Sequence, residues 1–176
     1  MTPGMPLTDP APCLAAVAAA MAAPGQPEAG LRALDRALAA TVGHKLFTVL
    51  VLNHAAGQNQ RYYTSRPEAY PAGGQKPIDF SSEFYRTVVT AGRPRFLHDR
   101  ADIVRALFDH KLVLSLGCEG AVNVPVRWNG RTLGGLNLLD AAGRYDEAQM
   151  PLLLTFAALA VPALLHITRN WTEVGP

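Results

Sequence analysis

The dipeptide Asn129-Gly130, set between two runs of β-forming residues, constrains this chain more than any other feature of it. Both residues tolerate positive φ at the centre of a two-residue turn, the geometry that matches the twist of paired strands, so residues 120–140 are expected as one long antiparallel hairpin. With Trp128 opposite Arg131, counting back along a regular ladder sets Asn123 opposite Leu136 and Val122 opposite Asn137. The two asparagines then lie on opposite faces of the sheet. Asn123 stands out, because a polar amide in an apolar central strand needs hydrogen-bond partners once buried, from backbone or from a pocket.

The far end of the chain carries the second constraint. Residues 152–167 are apolar nearly all round, whereas a helix on a protein surface keeps one polar face. This helix therefore needs cover on two sides, from its own sheet and from a further element, for which a partner subunit is the economical candidate. Asp146 with Gln149 makes a capping box at its start and Tyr145 with Met150 a hydrophobic staple, while Pro151 moves the start so that its ring falls in the first turn. The uncharged stretch 148–165 is short of the roughly 20 residues a bilayer requires and holds Gln149, Pro151 and Pro162, so no membrane span is expected.

Residues 10–23 and 27–41 read as helices, separated by Pro24-Gly25 and closed by Gly43, with Leu31, Leu34, Leu38 and Val42 on one face of the second. Asp9 is placed to cap the first, and no positive charge precedes its alanine-rich run, which argues against a signal peptide. Residues 45–53 and 60–65 read as a hairpin, in which alternation sends Tyr62 and Tyr63 to opposite faces. An aperiodic stretch follows through Pro67, Pro71, Gly73, Gly74 and Pro77, the kind of loop that often carries function. A helix over 79–91 ending at Gly92, a short strand at 95–97, a brief helix capped by Asp99 and a segment 108–116 leading into Gly117 complete the pattern.

With 176 residues, 49% of them hydrophobic and 17% charged, the chain is expected to bury one substantial core. Its net charge of +2 comes from scattered Lys and Arg, so the basic stripe of a nucleic-acid binder is missing. Cys13 and Cys118 are too far apart in sequence for a paired-thiol zinc site, and no two histidines show ligand spacing, so no metal is expected. Two such cysteines also make no disulfide framework, and a reducing, cytoplasmic setting is the expectation.

Four segments narrow the fold. Thr90-Ala91-Gly92-Arg93-Pro94 followed by Asp99, the run from Ser115-Leu116-Gly117 to Val124-Pro125-Val126, the returning strand Gly130-Arg131-Thr132-Leu133-Gly134-Gly135-Leu136-Asn137-Leu138, and Tyr145-Asp146-Glu147 before an apolar helix resemble, in order and spacing, the motifs of GAF domains. The resemblance spans roughly residues 27–166 and departs at Gly120, where the family more often has Ser. It implies an α+β sandwich: a central antiparallel sheet, N- and C-terminal helices on one face, and a helix and loop lid over the other, formed from residues 70–116. The implied layout is an N-terminal helical extension at 1–26, the domain at 27–170 and a tail at 171–176. The resemblance implies a stand-alone sensory module that binds a small molecule between sheet and lid and signals through a homodimer, built on the terminal helices, or through a partner. The Asn-Lys-x-Asp-Glu type of motif of cyclic-nucleotide-binding members is absent, and Cys118 is followed by Glu119 rather than the His of bilin-binding members. The ligand, or any cofactor, is left unnamed.

The candidate ligand-binding residues are Tyr62, Tyr63, Tyr70, Arg95, His110, Cys118 and Asn123. Ring plus hydroxyl suits a small polar ligand, although tyrosines on strands are commonly core. Arg95, with Arg61 and Arg66, suits a carboxylate or phosphate by bidentate pairing. His110 can donate or accept near neutral pH. Cys118 is either a small buried hydrophobe or, as in the GAF branch that reduces free methionine sulfoxide, a nucleophile that would need a lowered pKa; it is the one catalytic candidate, and an enzyme is not the leading expectation. A purely structural dimerisation module, with no pocket, is the third reading.

Overall fold

The computed structural model describes residues 9–171. Helices α1 (Ala11–Ala22) and α2 (Glu28–Thr41) lead into strands β1 (Leu46–Asn53), β2 (Gln58–Thr64) and β3 (Gln75–Pro77). A π-helical segment (Tyr85–Thr90), β4 (Arg95–Leu97), α3 (Arg100–Ala106) and α4 (His110–Ser115) follow. The hairpin β5 (Gly120–Trp128) and β6 (Arg131–Asp140), a 3-10 turn (Glu147–Gln149) and α5 (Met150–Arg169) close the chain. The six strands form one antiparallel sheet in the order β3-β2-β1-β6-β5-β4, so the long hairpin and β1 occupy its middle. Asn129 and Gly130 take φ of 48° and 74°, the left-handed conformations that the two-residue turn requires.

Alternation along the central strands divides two interiors. Phe47, Val49, Val51, Val122, Val124, Val126, Leu136 and Leu138 face α1, α2 and α5 and share one core with Leu31, Leu34, Leu38, Leu153, Phe156 and Leu164. The opposite face lies under the segment from Tyr70 to Leu116, where Leu46, Leu97, Ala121 and Leu139 meet Tyr70, Ile103, Val113 and Cys118. This is the expected sandwich, with terminal helices behind and a lid in front.

Two β-bulges alter the expected register. Trp128 does pair with Arg131, but the ladder shifts beyond Arg127–Thr132, so that Val126 meets Gly134 and Asn123 meets Asn137 rather than Leu136. Leu133 is the extra residue. It and Gly134 both turn toward the helices, where Leu133 joins the core and a Cβ on Gly134 would come within 2.9 Å of Leu164 and 2.0 Å of the Leu50 carbonyl oxygen. Asn137 is thereby moved to the lid side, beside Asn123, and not toward the helices. The second bulge lies between β1 and β2: Val49 pairs with Tyr63 and Leu50 with Arg61, leaving Tyr62 as the extra residue. Tyr62 and Tyr63 consequently both reach α2, donating to Glu28 Oε1 (3.2 Å) and Asp35 Oδ2 (2.7 Å), and do not part to opposite faces.

The expected helix over 79–91 is replaced by an Asx turn at Asp79, whose carboxylate accepts from the Ser81 amide, and by π-helical bonding such as Ala91 N to Arg86 O at 3.0 Å. Its sequence, Thr87-Val88-Val89-Thr90, is four consecutive β-branched residues, which crowd the turns of an α-helix. The wider coil buries Val88 and Val89 together, and Gly92 then ends it with φ of 61°. Residues 75–77, expected in the loop, add β3 to the sheet edge.

The capping box at Asp146 and Gln149 forms on the 3-10 turn, and α5 begins at Met150 with Pro151 in its first turn. Including that turn, the apolar segment runs for 23 residues, long enough to cross a bilayer by length and composition, contrary to the shortness expected. It serves instead as the central helix of the core: Leu153, Phe156, Ala160, Val161, Leu164 and Ile167 are buried against the sheet and against α1 and α2. The chain's own α1 and α2 thus supply a large part of its second cover.

Candidate functional site

Cross-strand neighbours on the lid face form a polar row across the sheet. Arg95 on β4 stands opposite Asn123 on β5, Asn123 opposite Asn137 on β6, and Asn137 opposite Thr48 on β1. Each donates to the next: Arg95 Nε to Asn123 Oδ1 (2.9 Å), Asn123 Nδ2 to Asn137 Oδ1 (2.7 Å), Asn137 Nδ2 to Thr48 Oγ1 (3.3 Å). Four polar side chains in register beneath an apolar lid are costly to bury, and this chain of donors offsets part of that cost.

Above the row lies a cavity of about 250 Å³. The row is its floor, flanked by Leu97, Ala121 and Leu139 on one side and Leu50 and Arg61 on the other, and Tyr70, Phe84, Leu107, Phe108 and Asp109 roof it. One end is clasped. Arg61 lies over the Tyr70 ring (3.8 Å to the centroid) and donates to its hydroxyl (2.7 Å) and to the Pro71 carbonyl (3.0 Å), while Tyr70 donates to Asp109 Oδ2 (2.6 Å). Burial and then the bond to Asp109 push the Tyr70 phenol well above its ordinary pKa, so it stays a donor at any physiological pH.

Arg95 occupies the other end. Its side chain is 8% exposed, and apart from Asn123 its one hydrogen-bonding partner among the described residues is Glu83, at 3.5 Å and 57% exposed. Burial pulls the guanidinium pKa down and Glu83 only partly opposes this. Nη2 makes no hydrogen bond among the described residues. A second, more open hollow lined by Ser82, Glu83, Arg86 and Arg105 adjoins the cavity across Phe84, Arg95 and Ala106.

Of the residues singled out in the sequence, Tyr70, Arg95 and Asn123 come together at this cavity. Tyr62 and Tyr63 are on the helix side of the sheet, because of the β2 bulge. His110 follows the lining residue Asp109 but turns back to the Leu107 carbonyl (Nδ1 to O, 2.9 Å), in the joint between α3 and α4. Cys118 is fully buried in the cluster that holds Val113 and Leu46 and does not line the cavity, and desolvation, then Asp140, pushes its thiol up to about 11. A nucleophilic cysteine requires the reverse shift. Among the polar and aromatic lining residues, Thr48, Phe84 and Asp109 were not read from the sequence as part of a site and Asn137 was assigned to the wrong face; Arg61, named there as a possible anion partner, lines the cavity engaged by Asp109 and Tyr70. No group of three or more His, Cys, Asp or Glu side chains suited to a metal ion occurs among the described residues.

No protein-family model and no curated protein sequence matches the chain. Solved structures do. The GAF domain of a phosphoenolpyruvate-protein phosphotransferase from Coxiella burnetii superposes with a TM-score of 0.72 at 15% identity, covering 94% of this chain and 98% of that one. The GAF domain of a two-component sensor histidine kinase from Bacillus halodurans gives 0.63 at 12% identity, over 80% and 95%. Free methionine-R-sulfoxide reductase from Neisseria meningitidis, solved in complex with its substrate, gives 0.60 at 18% identity, over 93% and 92%. Sheet order, terminal helices behind, lid in front and these superpositions agree: the chain has the GAF-domain fold.

Proposed function

We propose that this chain is a sensory module that takes up a small polar organic molecule in the cavity between sheet and lid, and that occupancy is passed on through the lid or the terminal helices to a second copy or a partner. The observation that carries this reading is the polar row: a domain built only for packing gains nothing from lining a hollow with Arg95, Asn123, Asn137 and Thr48, since apolar side chains there would cost less to bury. A volume of about 250 Å³ matches roughly eight waters at about 30 Å³ each, the room a small metabolite displaces. The similarity to GAF domains of a sensor histidine kinase and a phosphotransferase supports a sensing role. The likeness to the reductase does not extend to a reactive thiol at Cys118.

A homodimer through α1 and α5 forms part of the proposal. Ala11, Pro12, Ala15, Ala16, Ala18, Ala19 and Ala22 on α1, with Leu154, Ala158 and Pro162 on α5, are exposed and uncharged, a surface suited to close helix packing. Two free cysteines suit a reducing compartment. The test is native mass spectrometry of the purified chain followed by a thermal-shift screen of metabolites. A co-purifying or stabilising small molecule whose effect disappears in Asn137→Leu supports the proposal. A screen in which every hit stabilises Asn137→Leu equally well would remove the cavity from the account.

A further inference from the structure

We infer that the ligand of this cavity is a small organic monocarboxylate, its carboxylate seated on the free edge of the Arg95 guanidinium and a second, uncharged polar group resting on Asn137 and Thr48. This rests on the reading of the cavity as a ligand site and adds the chemistry that fits it. Three observations converge. First, Arg95 is more than nine-tenths buried, yet its Nη2 finds no acceptor among the described residues, and its ionic partner Glu83 is a half-solvated carboxylate at 3.5 Å. A buried guanidinium so thinly satisfied is costly, and a planar carboxylate meets its fork with two parallel bonds.

Second, the cavity lining holds two guanidiniums and one carboxylate. Asp109 lines the cavity with Arg61, 3.5 Å away, and the two share Tyr70. Glu83, at the same 3.5 Å from Arg95, lies outside the lining and is 57% exposed, so within the lining the charge without a buried counter-ion is that of Arg95. With Glu83 turned to solvent, one negative charge balances the lining and two would exceed it. The adjoining hollow adds Arg86 and Arg105 to Arg95 against Glu83, so its field favours an incoming anion, even though Arg105 is engaged by Asp102.

Third, the polar row has a direction. Both amide oxygens point toward Arg95 and both amide nitrogens away from it, so that beyond Arg95 the floor presents the remaining N–H groups of Asn123 and Asn137 and the Thr48 hydroxyl. Adjacent strands lie about 4.8 Å apart, which puts Asn137 about 10 Å from the Arg95 backbone, and Arg95 reaches part of that span itself. A carbonyl or hydroxyl three or four carbons from the carboxylate fits the remainder.

The test follows the side-chain amide resonances of Asn123 and Asn137 by NMR in the full-length protein, with levulinate, its uncharged methyl ester and the dianion succinate as probes. Saturable shifts with levulinate are expected, weaker by about tenfold or more with the ester and with succinate, and weakened by a similar factor in Arg95→Gln. Arg95→Lys, which keeps charge and loses the fork, is expected to fall between. Equal binding of acid and ester, or an Arg95→Gln variant that folds and binds undiminished, would overturn the carboxylate assignment and leave the cavity a ligand site. If none of the three probes moves these resonances at any concentration, the cavity reading falls as well. The comparison of acid with ester needs only the wild-type chain, so the assignment is decided even where Arg95→Gln does not fold.

Discussion

Asn123 holds the site together at the scale of single residues. It accepts from Arg95 and donates to Asn137, so replacing it with leucine removes an acceptor from a buried cation and a donor from a buried amide at once. Asn123→Leu is expected to cost about 3 kcal/mol by urea denaturation, more than Asn137→Leu, because the group left unpaired is charged. Tyr63→Phe is expected to cost about 1 kcal/mol, the worth of its bond to Asp35, with no effect on binding at the cavity. Cys118 adds a pH signature. Its folded thiol titrates at about 11 against an ordinary 9.0, so the folded state holds its proton more tightly. The contribution to stability is whole below pH 9.0 and is lost as pH rises toward 11, on the order of 2 kcal/mol across the window. Denaturation curves of the wild type and Cys118→Ala through that range should converge; curves that stay parallel would mean that the thiol is not held protonated.

Elements decide which face these residues serve, and two extra residues decide the elements. The turn at Asn129-Gly130, the capping box at Asp146 and the left-handed stops at Gly43 and Gly92 follow from side-chain chemistry local to each, and all were legible in the sequence. The faces of Asn137, Tyr62 and Tyr63 were not, because strict alternation has no term for a bulge, and a bulge is fixed by what lies across the sheet. Gly134 was the signal available: a glycine within a central strand marks a bulge or a close backbone approach, and here it does both. Gly134→Ala would press a methyl group onto the Leu50 carbonyl, which belongs to rigid backbone, and is expected to destabilise by about 3 kcal/mol in thermal or chemical unfolding. The π-helical segment was hidden for a related reason. Helical spacing of Phe84, Val88 and Ala91 suggested an α-helix, whereas four successive β-branched residues favour the looser coil and turn Val88 and Val89 inward together.

At the scale of the whole molecule, the two faces of the sheet have different work. The helix face is sealed by a hydrocarbon core running from α2 to α5, and the exposed, uncharged residues of α1 with Leu154, Ala158 and Pro162 of α5 form the surface proposed for contact with another copy. Introducing charge there, as in Ala15→Glu with Leu154→Glu, is expected to convert a dimer to a monomer in sedimentation velocity while leaving ligand affinity within a factor of about 3. A wild-type chain already monomeric at micromolar concentration would end that part of the proposal. The lid face is tied down unevenly. Arg61 grips Tyr70 and, through it, Asp109, which come from separate arms of the lid, so those arms cannot part there without breaking several bonds at once. On the proposed reading, a ligand would enter at the opposite rim, beneath Phe84 and past Glu83, where the ion pair with Arg95 is long and half-solvated. A guest taking that route would pass the Arg95 guanidinium on entering and on leaving, so substitutions at Glu83 are expected to change dwell time more than substitutions at the Tyr70 clasp.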